Sequence, residues 1–458
     1  MQIEIPPYVA SKTYSTPKVS SVSFITDLKN NIHYVLLNDT SKLWNFILSS
    51  QDYNEILSFA KKQNLQEILN PFLSELKFRG LIESDFIEVS FDNRFIKYVI
   101  NERSSNANTF LNYKQYMLSE KLSLLYSIRL SLNYTCNLNC KQCCNPKNLY
   151  SEMTFEQAKS VIDEAIDLGL NIVSISGGEC TLNKDFLRIA QYVRSKFLEL
   201  AILTNAQKLY DDKKLLDSII SIYPSIVQIS LYSMDPEVHD NLTGMKGSHY
   251  KTLSVIKKLR EHNIKVTISC IQFSYNKGSY IEVKKFADSI GCDFLTDCKF
   301  IYNTDNKNLS AKLSEDDIFQ YYLETINVNK PRSKDDIVCS GGIDRFEIMP
   351  NMDINPCTYF YYTLGNYNNV SLKEVRETTV KEFHKIFKKE NLKDCFKYEY
   401  CQYCFGCPKF CKSNEKDFFL KKNEILCEDA RAYYKAYLKL KELKSTQVGL
   451  NIPNEINY

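Results

Sequence analysis

The sequence lacks the features that would place the protein in a membrane or outside the cell. It has no apolar run of about 18 residues, the length of a membrane-spanning helix. Its first residues, MQIEIPPYVASK, lack the basic-then-apolar pattern of a signal peptide. A formal charge of +3 over 458 residues gives no basic surface for nucleic acid. We therefore expect a cytoplasmic protein of several compact units that binds neither a membrane nor nucleic acid.

Cysteine is absent from the first 135 residues and abundant after them. The 16 cysteines include a group of four at 136–144 and a group of eight between 339 and 427. Because the cytosol keeps thiols reduced, closely spaced cysteines indicate zinc or iron–sulfur ligands rather than disulfides. Histidine is scarce, and we assign none of the five histidines a role.

Between residues 124 and 305, apolar strand patterns alternate with amphipathic helix patterns. The expected strands are SIRLSLN, NIVSISG, LAILTN, IVQISLYS, IKVTISCI and a sixth near DFLTDCKF. The expected helices lie near 154–168, 184–197, 211–221, 249–262 and 279–290. This alternation predicts parallel βαβ units, and six strands favour a partial TIM-like barrel, (β/α)6, over a full barrel. Catalytic groups should lie at the carboxyl ends of the strands.

The remaining segments flank this barrel, which we assign to residues 123–310. Residues 1–90 combine the strand patterns SVSFITD and IHYVLLN with about three helices, a winged-helix-like arrangement. Residues 91–122 are polar and predict a linker. A cysteine-rich domain follows at 330–430, and a terminal helix and tail occupy 431–458. The predicted fold class is therefore α/β with an additional domain at each end.

A C-x3-C-x2-C motif, Cys136, Cys140 and Cys143, follows the first barrel strand. Three thiolates can hold three irons of a [4Fe–4S] cluster and leave the fourth iron open to a ligand. Zinc is the alternative, because C-x2-C pairs also build zinc knuckles. We interpret the adjacent Cys144 as a non-ligand.

Three motifs end the next three strands: SGGE at 176–179, LTNA at 203–206 and QISLY at 228–232. In this order after the cysteine loop, they resemble the radical S-adenosylmethionine (radical SAM) superfamily. In that family the open iron binds SAM, whose cleavage gives a 5′-deoxyadenosyl radical. Cys180 and Ala206 depart from the family's proline and glycine. The resemblance implies these SAM-binding residues: Gly177, Gly178, Glu179, Thr204, Asn205 and Ser230.

The eight later cysteines resemble the SPASM extension of peptide-modifying radical SAM enzymes, which binds two auxiliary [4Fe–4S] clusters. The resemblance assigns Cys339, Cys357 and Cys411 to the first cluster, and Cys401, Cys404, Cys407 and Cys427 to the second. Cys395 is either the fourth ligand of the first cluster or a bystander, and another register uses Cys395, Cys401 and Cys404. The short third gap and Met352, which replaces a glycine, depart from the family. Zinc is again the alternative.

The resemblance also implies a peptide substrate. The segment HDNLTGMKGSHYKTLSVIKKL looks like that of family members that act on peptides. Residues 1–90 resemble a PqqD-like domain that binds leader peptides, and an exposed strand edge beside a helix can take an extended peptide. A DNA-binding winged helix is disfavoured, because SKLWNFILSS offers no run of Lys and Arg.

The expected reaction is thioether formation by a Cys of a ribosomally made precursor peptide. It would use SAM, three [4Fe–4S] clusters and an external electron donor of the flavodoxin or ferredoxin type. The alternatives are carbon–carbon or carbon–oxygen crosslinking, sulfatase-type maturation, and a non-catalytic peptide-binding or electron-relay protein. Thr358, in place of the sulfatase-type Asp, disfavours the second of these. The sequence identifies no catalytic acid, base or radical-quenching residue.

Overall fold

The computed structural model describes most of the chain. The described residues are 1–14, 21–89, 94–96, 98–101, 123–145, 151–299, 301, 308–326, 341–358, 360, 362–386, 391, 397–404, 407 and 424–447. Three predicted cluster ligands, Cys339, Cys395 and Cys411, lie outside these residues. Within the described ranges, no helix is both long and apolar enough to cross a membrane.

The N-terminal unit is an antiparallel sheet packed against three helices. Its elements are β1 (Val9–Tyr14), β2 (Val22–Asp27), β3 (Ile32–Leu37), α1 (Asn38–Ser49), α2 (Tyr53–Lys62), α3 (Gln66–Phe78) and β4 (Tyr98–Asn101), with strand order β1-β2-β3-β4. The β2–β3 turn forms because the Asp27 carboxylate accepts the backbone N–H groups of Lys29 and Asn30 at 3.0 and 3.1 Å. Trp44 of α1 is completely buried beneath the sheet. Residues 98–101, within the segment predicted as a linker, form the fourth strand.

A parallel sheet with helices between its strands forms the central unit. It contains β5 (Ser127–Ser131), α4 (Phe155–Asp167), β6 (Ile172–Ser176), α5 (Phe186–Ser195), β7 (Glu199–Thr204), α6 (Gln207–Asp211), α7 (Lys213–Ile222), β8 (Ile226–Ser230), α8 (Pro236–Thr243), α9 (Ser248–Glu261), β9 (Val266–Ser269), α10 (Tyr280–Ser289), β10 (Asp293–Leu295) and α11 (Glu315–Thr325). Strands β5 to β10 pair in parallel in chain order, which confirms the predicted α/β fold. Alternate side chains such as Val173, Ile202 and Ile229 are buried in the main core.

The cysteine-dense segment extends this sheet, which the sequence did not predict. β11 (Arg345–Ile348) pairs in parallel with β5, and β12 (Asp353–Asn355) and β13 (Gly365–Asn366) follow antiparallel. Phe346 and Ile348 are buried in the same core as the barrel strands. These strands have only two to four residues, too few for a period of two to be recognised in the sequence.

Helices cover the C-terminal part of the sheet. α12 (Leu372–Glu377) lies beside α4, where the Lys373 N–H donates to the Glu164 carboxylate at 2.9 Å, and α13 (Thr379–Ile386) follows. α14 (Glu424–Gln447) packs along α11, with the rings of Tyr322 and Tyr433 edge to face at 5.1 Å. Because α14 begins at Glu424 rather than near 431, it includes Cys427.

The N-terminal unit is docked at the amino ends of the barrel strands. The buried Arg194 of α5 donates to the backbone carbonyls of Pro7 and Val9 at 2.6 and 3.0 Å. The Ser11 N–H of β1 donates to the Phe197 carbonyl at 2.9 Å. Since Phe197 lies just before β7, this contact is at the end of the sheet opposite to the carboxyl ends of the strands.

Replacing Arg194 with methionine should destabilise the protein by about 3–5 kcal/mol, because the buried carbonyls would lose their donor. Burial raises the pKa of Glu199 to about 7, and the positive charge of Arg194 opposes that shift. The Arg194→Met substitution would therefore also remove a neutralising charge from beside the Glu199 carboxyl. Arg188→Met is the matched control on the same helix, because Arg188 is exposed; it should change stability by less than about 0.5 kcal/mol. Chemical unfolding of both variants would measure the difference, and equal stabilities would contradict this role of Arg194.

Candidate functional site

The cysteine loop leaves β5 and runs beside the end of β6. The Gly178 N–H donates to the Asn133 carbonyl, and the Glu179 N–H donates to the Thr135 carbonyl, each at 2.8 Å. A Cβ on Gly178 would lie 2.4 Å from the carbonyl oxygens of both Tyr134 and Thr135. Glycine is therefore required at this position because the two backbones are in contact.

The other side of the cysteine loop is held by the end of α8. The Asn139 N–H donates to the Thr243 carbonyl at 3.1 Å, and the Lys141 N–H donates to the Leu242 carbonyl at 3.0 Å. Gly244 has φ of 70°, and a Cβ there would lie 2.7 Å from the Asn139 carbonyl oxygen. The HDNLTG sequence thus has a structural role that the sequence alone did not identify: it fixes the cysteine loop from the side opposite β6.

Asp240 holds the turn that follows this contact. Its carboxylate accepts the His249 N–H and the Ser248 hydroxyl, each at 2.9 Å, and also the Gly247 N–H. Partial burial alone would raise the pKa of Asp240, but these hydrogen bonds and the nearby His239 lower it below its ordinary value. The ionised carboxylate therefore fixes the start of α9 relative to α8.

The three predicted cluster ligands lie together on the held loop. The Cys143 N–H donates to the Cys140 carbonyl at 3.3 Å, and the Leu138 N–H lies 3.4 Å from the Cys136 sulfur. Cys136 is exposed on the loop surface, but neighbouring protein atoms displace part of the water around its sulfur and, with the nearby Glu179 and Cys143, raise the pKa of this thiol above its ordinary value. The raised pKa favours the protonated thiol, whereas a bound metal would favour the thiolate, because coordination deprotonates a thiol.

Among the described residues, no three His, Cys, Asp or Glu side chains are arranged to hold one metal ion. The cysteine loop fits a different kind of group, since each thiolate of a four-iron cluster bonds a different iron. The nearest carboxylate, Glu179, is hydrogen-bonded within the protein and leaves the loop with thiol donors. Such soft donors favour iron–sulfur or zinc over oxygen-preferring ions.

Glu179 is buried and joins the end of β6 to the end of β7. Its carboxylate accepts hydroxyl groups of Thr181 and Thr204 at 2.6 and 2.7 Å, and the Asn205 N–H at 2.8 Å. Burial raises the pKa of this carboxyl above its ordinary value, although the hydrogen bonds oppose the shift. The side chain therefore fixes two strand ends at which SAM-binding residues are predicted.

The end of β7 contacts the cysteine loop directly. The Asn205 side-chain amide donates to Asn137 Oδ1 at 2.8 Å and lies 3.6 Å from the Cys136 sulfur. The next residue, Ala206, has φ of 68°, a conformation that costs alanine about 1 kcal/mol. This explains the glycine of the family pattern at that position.

Tyr232 ends the QISLY motif, but the sequence resemblance assigned a SAM-binding role only to Ser230. Burial raises its pKa, and the neighbouring Cys140 and Cys143 contribute in the same direction. The Ser230 and Gln142 side chains lie beside the phenol and oppose that shift. Tyr232 therefore lies between Ser230 and the cysteine loop.

A buried carboxylate lies on β11, next to the cysteine loop's strand. Glu347 is 3% exposed and accepts the Ser131 hydroxyl at 2.7 Å. Burial, with Glu347 and Asp353 nearby, raises the pKa of Tyr134 to about 12. Sequence analysis missed this group because β11 itself was not predicted; an acidic residue between two apolar ones in RFEI is the only local signal.

The second cysteine group is described in part. A short 3₁₀ turn (Glu399–Tyr403) contains Cys401, and the Cys404 N–H donates to the Cys401 carbonyl at 3.1 Å. Tyr403 stacks on Tyr434 of α14 at 5.2 Å. The turn with Cys401 and Cys404 therefore packs against the helix that contains Cys427.

The other described cysteines of this group are Cys357, just after β12, and Cys407; both are half-buried. Met352, in the turn before β12, has φ of 69° and donates its N–H to the Met349 carbonyl at 2.8 Å. A buried methionine thus adopts the conformation for which the family uses glycine.

Known proteins match both the sequence and the fold. Residues 130–287 match the model of the radical SAM superfamily. The chain is 26% identical over 277 residues to the antilisterial bacteriocin subtilosin biosynthesis protein AlbA of Bacillus subtilis, covering 56% of this chain and 60% of AlbA. It is 25% identical over 185 residues to the PqqA peptide cyclase of Bradyrhizobium diazoefficiens, covering 40% and 48%. The chain thus spans between about half and three fifths of these relatives' lengths.

Among solved structures, SuiB of Streptococcus suis bound to S-adenosylmethionine superposes with a TM-score of 0.56 at 18% identity, covering 92% of this chain and 99% of SuiB. SuiB bound to its precursor peptide SuiA gives 0.51 at 19% identity, covering 90% and 94%. These likenesses show a shared fold. In sequence, residues 130–287 are similar to the radical SAM superfamily. The chain thus resembles radical SAM enzymes whose names refer to peptide substrates, as the motifs predicted.

Proposed function

We propose that this chain is an enzyme that uses SAM and iron–sulfur clusters to modify a ribosomally made precursor peptide. The proposal rests on the cysteine loop, which is held between the end of β6 and residues 242–244 at the carboxyl end of the barrel sheet. The names of AlbA, PqqA peptide cyclase and the SuiB–SuiA complex support a peptide substrate. The proposed ligands of the radical-generating cluster are Cys136, Cys140 and Cys143, and the proposed SAM contacts are Gly177, Gly178, Glu179, Thr204, Asn205 and Ser230.

The chain's own residues would position these groups. The Asn205 amide lies against the Cys136 sulfur and would hydrogen-bond the thiolate, as outer-shell groups do at metal sites. Glu179 would keep the strand ends in place, and the buried Glu347 would face the peptide from β11. SAM and its cluster would supply a 5′-deoxyadenosyl radical that removes a hydrogen atom from the peptide.

We propose a thioether as the product and two auxiliary clusters in the C-terminal domain. Joining a Cys sulfur to a carbon removes two hydrogens from the peptide, one as a hydrogen atom and one as a proton plus an electron. The hydrogen atom would go to the deoxyadenosyl group, and an auxiliary cluster would accept the electron. The packing of the Cys401 turn against the helix of Cys427 supports a shared cluster there. Cys339, Cys357, Cys395, Cys407 and Cys411 are proposed ligands by family resemblance.

The remaining roles are also proposals. The N-terminal unit would act as the winged-helix-like, PqqD-like domain that binds the leader of the precursor, since its meander and three helices have that pattern. A flavodoxin or ferredoxin would supply the electron that starts each turnover. The enzyme would work in the cytoplasm.

The test is reconstitution of the full chain without oxygen, followed by iron, sulfide and zinc analysis. We expect about 12 irons per chain, from three four-iron clusters, and 5′-deoxyadenosine when SAM and a reductant are added. A measured content of about 8 irons per chain would mean that the protein binds one auxiliary cluster rather than two. If the protein contained stoichiometric zinc and did not cleave SAM, the proposed enzymatic function would be wrong. A cysteine-rich binding protein would then be favoured.

The product is tested by co-expression with a candidate precursor, which is sought as a short cysteine-containing reading frame near the gene of this protein. A thioether removes two hydrogens from the peptide and also makes the Cys resistant to alkylation. A product peptide that has lost the mass of two hydrogens but whose Cys thiol still reacts with an alkylating reagent would contradict the thioether. That result would indicate a carbon–carbon or carbon–oxygen crosslink instead.

A further inference from the structure

Residues 94–96 and 98–101, which we call the tethered segment, lie on the N-terminal unit in the manner of a bound peptide. Phe95 and Ile96 are 9% and 5% exposed and belong to the core of that unit. The Phe95 N–H donates to the buried Glu75 carboxylate of α3 at 3.2 Å. The Phe95 ring lies edge to face with Phe72 of α3 at 6.0 Å. Two adjacent apolar side chains therefore anchor the segment on α3.

The second half of the tethered segment adds a strand to the sheet. β4 pairs antiparallel with β3, from Ile32 opposite Asn101 to Val35 opposite Tyr98. Among the described residues, this pairing covers four positions of β3 and ends at Val35. A four-residue strand at the edge of a sheet gains few backbone hydrogen bonds, so its pairing is weak by itself.

The opposite edge of the sheet is covered by the barrel. The Ser11 N–H of β1 donates to the Phe197 carbonyl, and Arg194 donates to the carbonyl of Val9. Strand addition at β1 would therefore require the two units to separate. The β3 edge can be exposed at a smaller cost, because only the tethered segment must leave.

We propose that the tethered segment occupies, in cis, the site at which an extended segment of the precursor peptide binds, and that the precursor displaces it. This inference rests on the proposed function. The geometry also defines the ligand: two adjacent large apolar residues, one spacer residue, and about four residues in extended conformation, as in RFIKYVIN at 94–101. Free enzyme then protects its sheet edge, and precursor binding exposes the segment.

The probe is a fluorescein-labelled peptide with the sequence RFIKYVIN, titrated into the full-length protein. In one variant, eight alternating Gly and Ser residues replace 94–101, which empties the site without shortening the chain. The matched control, Val99→Thr with Ile100→Thr, keeps the backbone N–H groups and the β-branched shape. We expect the Gly/Ser variant to bind the probe at least about tenfold more tightly than the wild type or the control, because the competing segment is gone.

Trp44, the chain's only tryptophan, reports on folding of this unit because it is fully buried there. If the fluorescence of Trp44 shows that the Gly/Ser variant is unfolded, the Phe95→Ser variant is used in its place. This substitution removes one anchor of the tethered segment and should also tighten binding of the probe. Equal affinity for the wild type and the folded variant, or no binding to the folded variant, would overturn the inference. SAM cleavage by the wild type is measured separately, so that a failure of the proposed chemistry is distinguished from a failure of strand exchange.

Discussion

The Cys136→Ala variant should form no detectable 5′-deoxyadenosine and should lose about 4 of about 12 irons per chain. Cys136 is one of the three predicted ligand thiols on this loop, and the carboxylate of Glu179 beside it is already hydrogen-bonded to Thr181, Thr204 and Asn205. Two remaining thiolates cannot replace the third ligand of the cluster. The iron that remains should belong to the proposed auxiliary clusters, whose ligands the substitution does not change.

The matched control for this experiment is Cys144→Ala. Cys144 follows Cys143 directly and is interpreted as a non-ligand, so its loss should leave iron content and deoxyadenosine formation near those of the wild type. Iron analysis and quantification of deoxyadenosine on both variants provide the comparison. If Cys144→Ala behaves like Cys136→Ala, the ligand register of the loop is wrong. If Cys136→Ala keeps its activity, the loop does not hold the cluster.

The parallel α/β sheet could be predicted from the sequence because each of its strands β5 to β10 is a short apolar run between amphipathic helices. The positions of Gly177 and Gly178 were predicted for the same reason, since the motif ends an identifiable strand. The contact of Leu242 and Thr243 with the cysteine loop could not be predicted. It joins residues about a hundred positions apart through backbone groups, which leave no side-chain pattern in the sequence.

Short strands account for the other differences. β11 to β13 have two to four residues, so no alternation indicated that they extend the sheet next to β5. β4 contains the strand formers Val99 and Ile100, but it stands at the start of the segment 91–122, whose polar character as a whole predicted a linker. Met352 could be recognised as a departure from a family glycine, but only the structure shows that methionine takes the same left-handed conformation.

The position of the N-terminal unit constrains the precursor peptide. Its contact with the barrel lies near Phe197, before β7, whereas the cysteine loop lies at the carboxyl ends of the strands. Strands of five to six residues span about 17–20 Å, and an extended chain covers about 3.3 Å per residue. If the N-terminal unit binds the leader, as proposed, that leader must therefore be separated from the modified residue by at least about six residues.

The Gly178→Ala variant should lower the rate of deoxyadenosine formation about a hundredfold or more while keeping the iron of the auxiliary clusters. The added Cβ would lie 2.4 Å from the carbonyl oxygens of Tyr134 and Thr135, and neither belongs to a flexible side chain that could move away. The cysteine loop must therefore shift from β6 and lose the hydrogen bonds that Gly178 and Glu179 donate to it. A displacement of about 1 Å at a reacting group can cost a factor of about 10² in rate.

Gly278→Ala is the matched control for Gly178→Ala. Gly278 also precedes a barrel helix, and a Cβ there would meet nothing within 4 Å, although its φ of 70° adds about 1 kcal/mol of strain for alanine. We expect Gly278→Ala to keep wild-type deoxyadenosine formation and to unfold at a slightly lower temperature. Gly178→Ala should show the opposite combination, with a large loss of SAM cleavage and most of its folded structure and auxiliary iron retained. Full SAM cleavage by Gly178→Ala would mean that the cysteine loop tolerates displacement, and the contact between β6 and the loop would then be structural without being needed for catalysis.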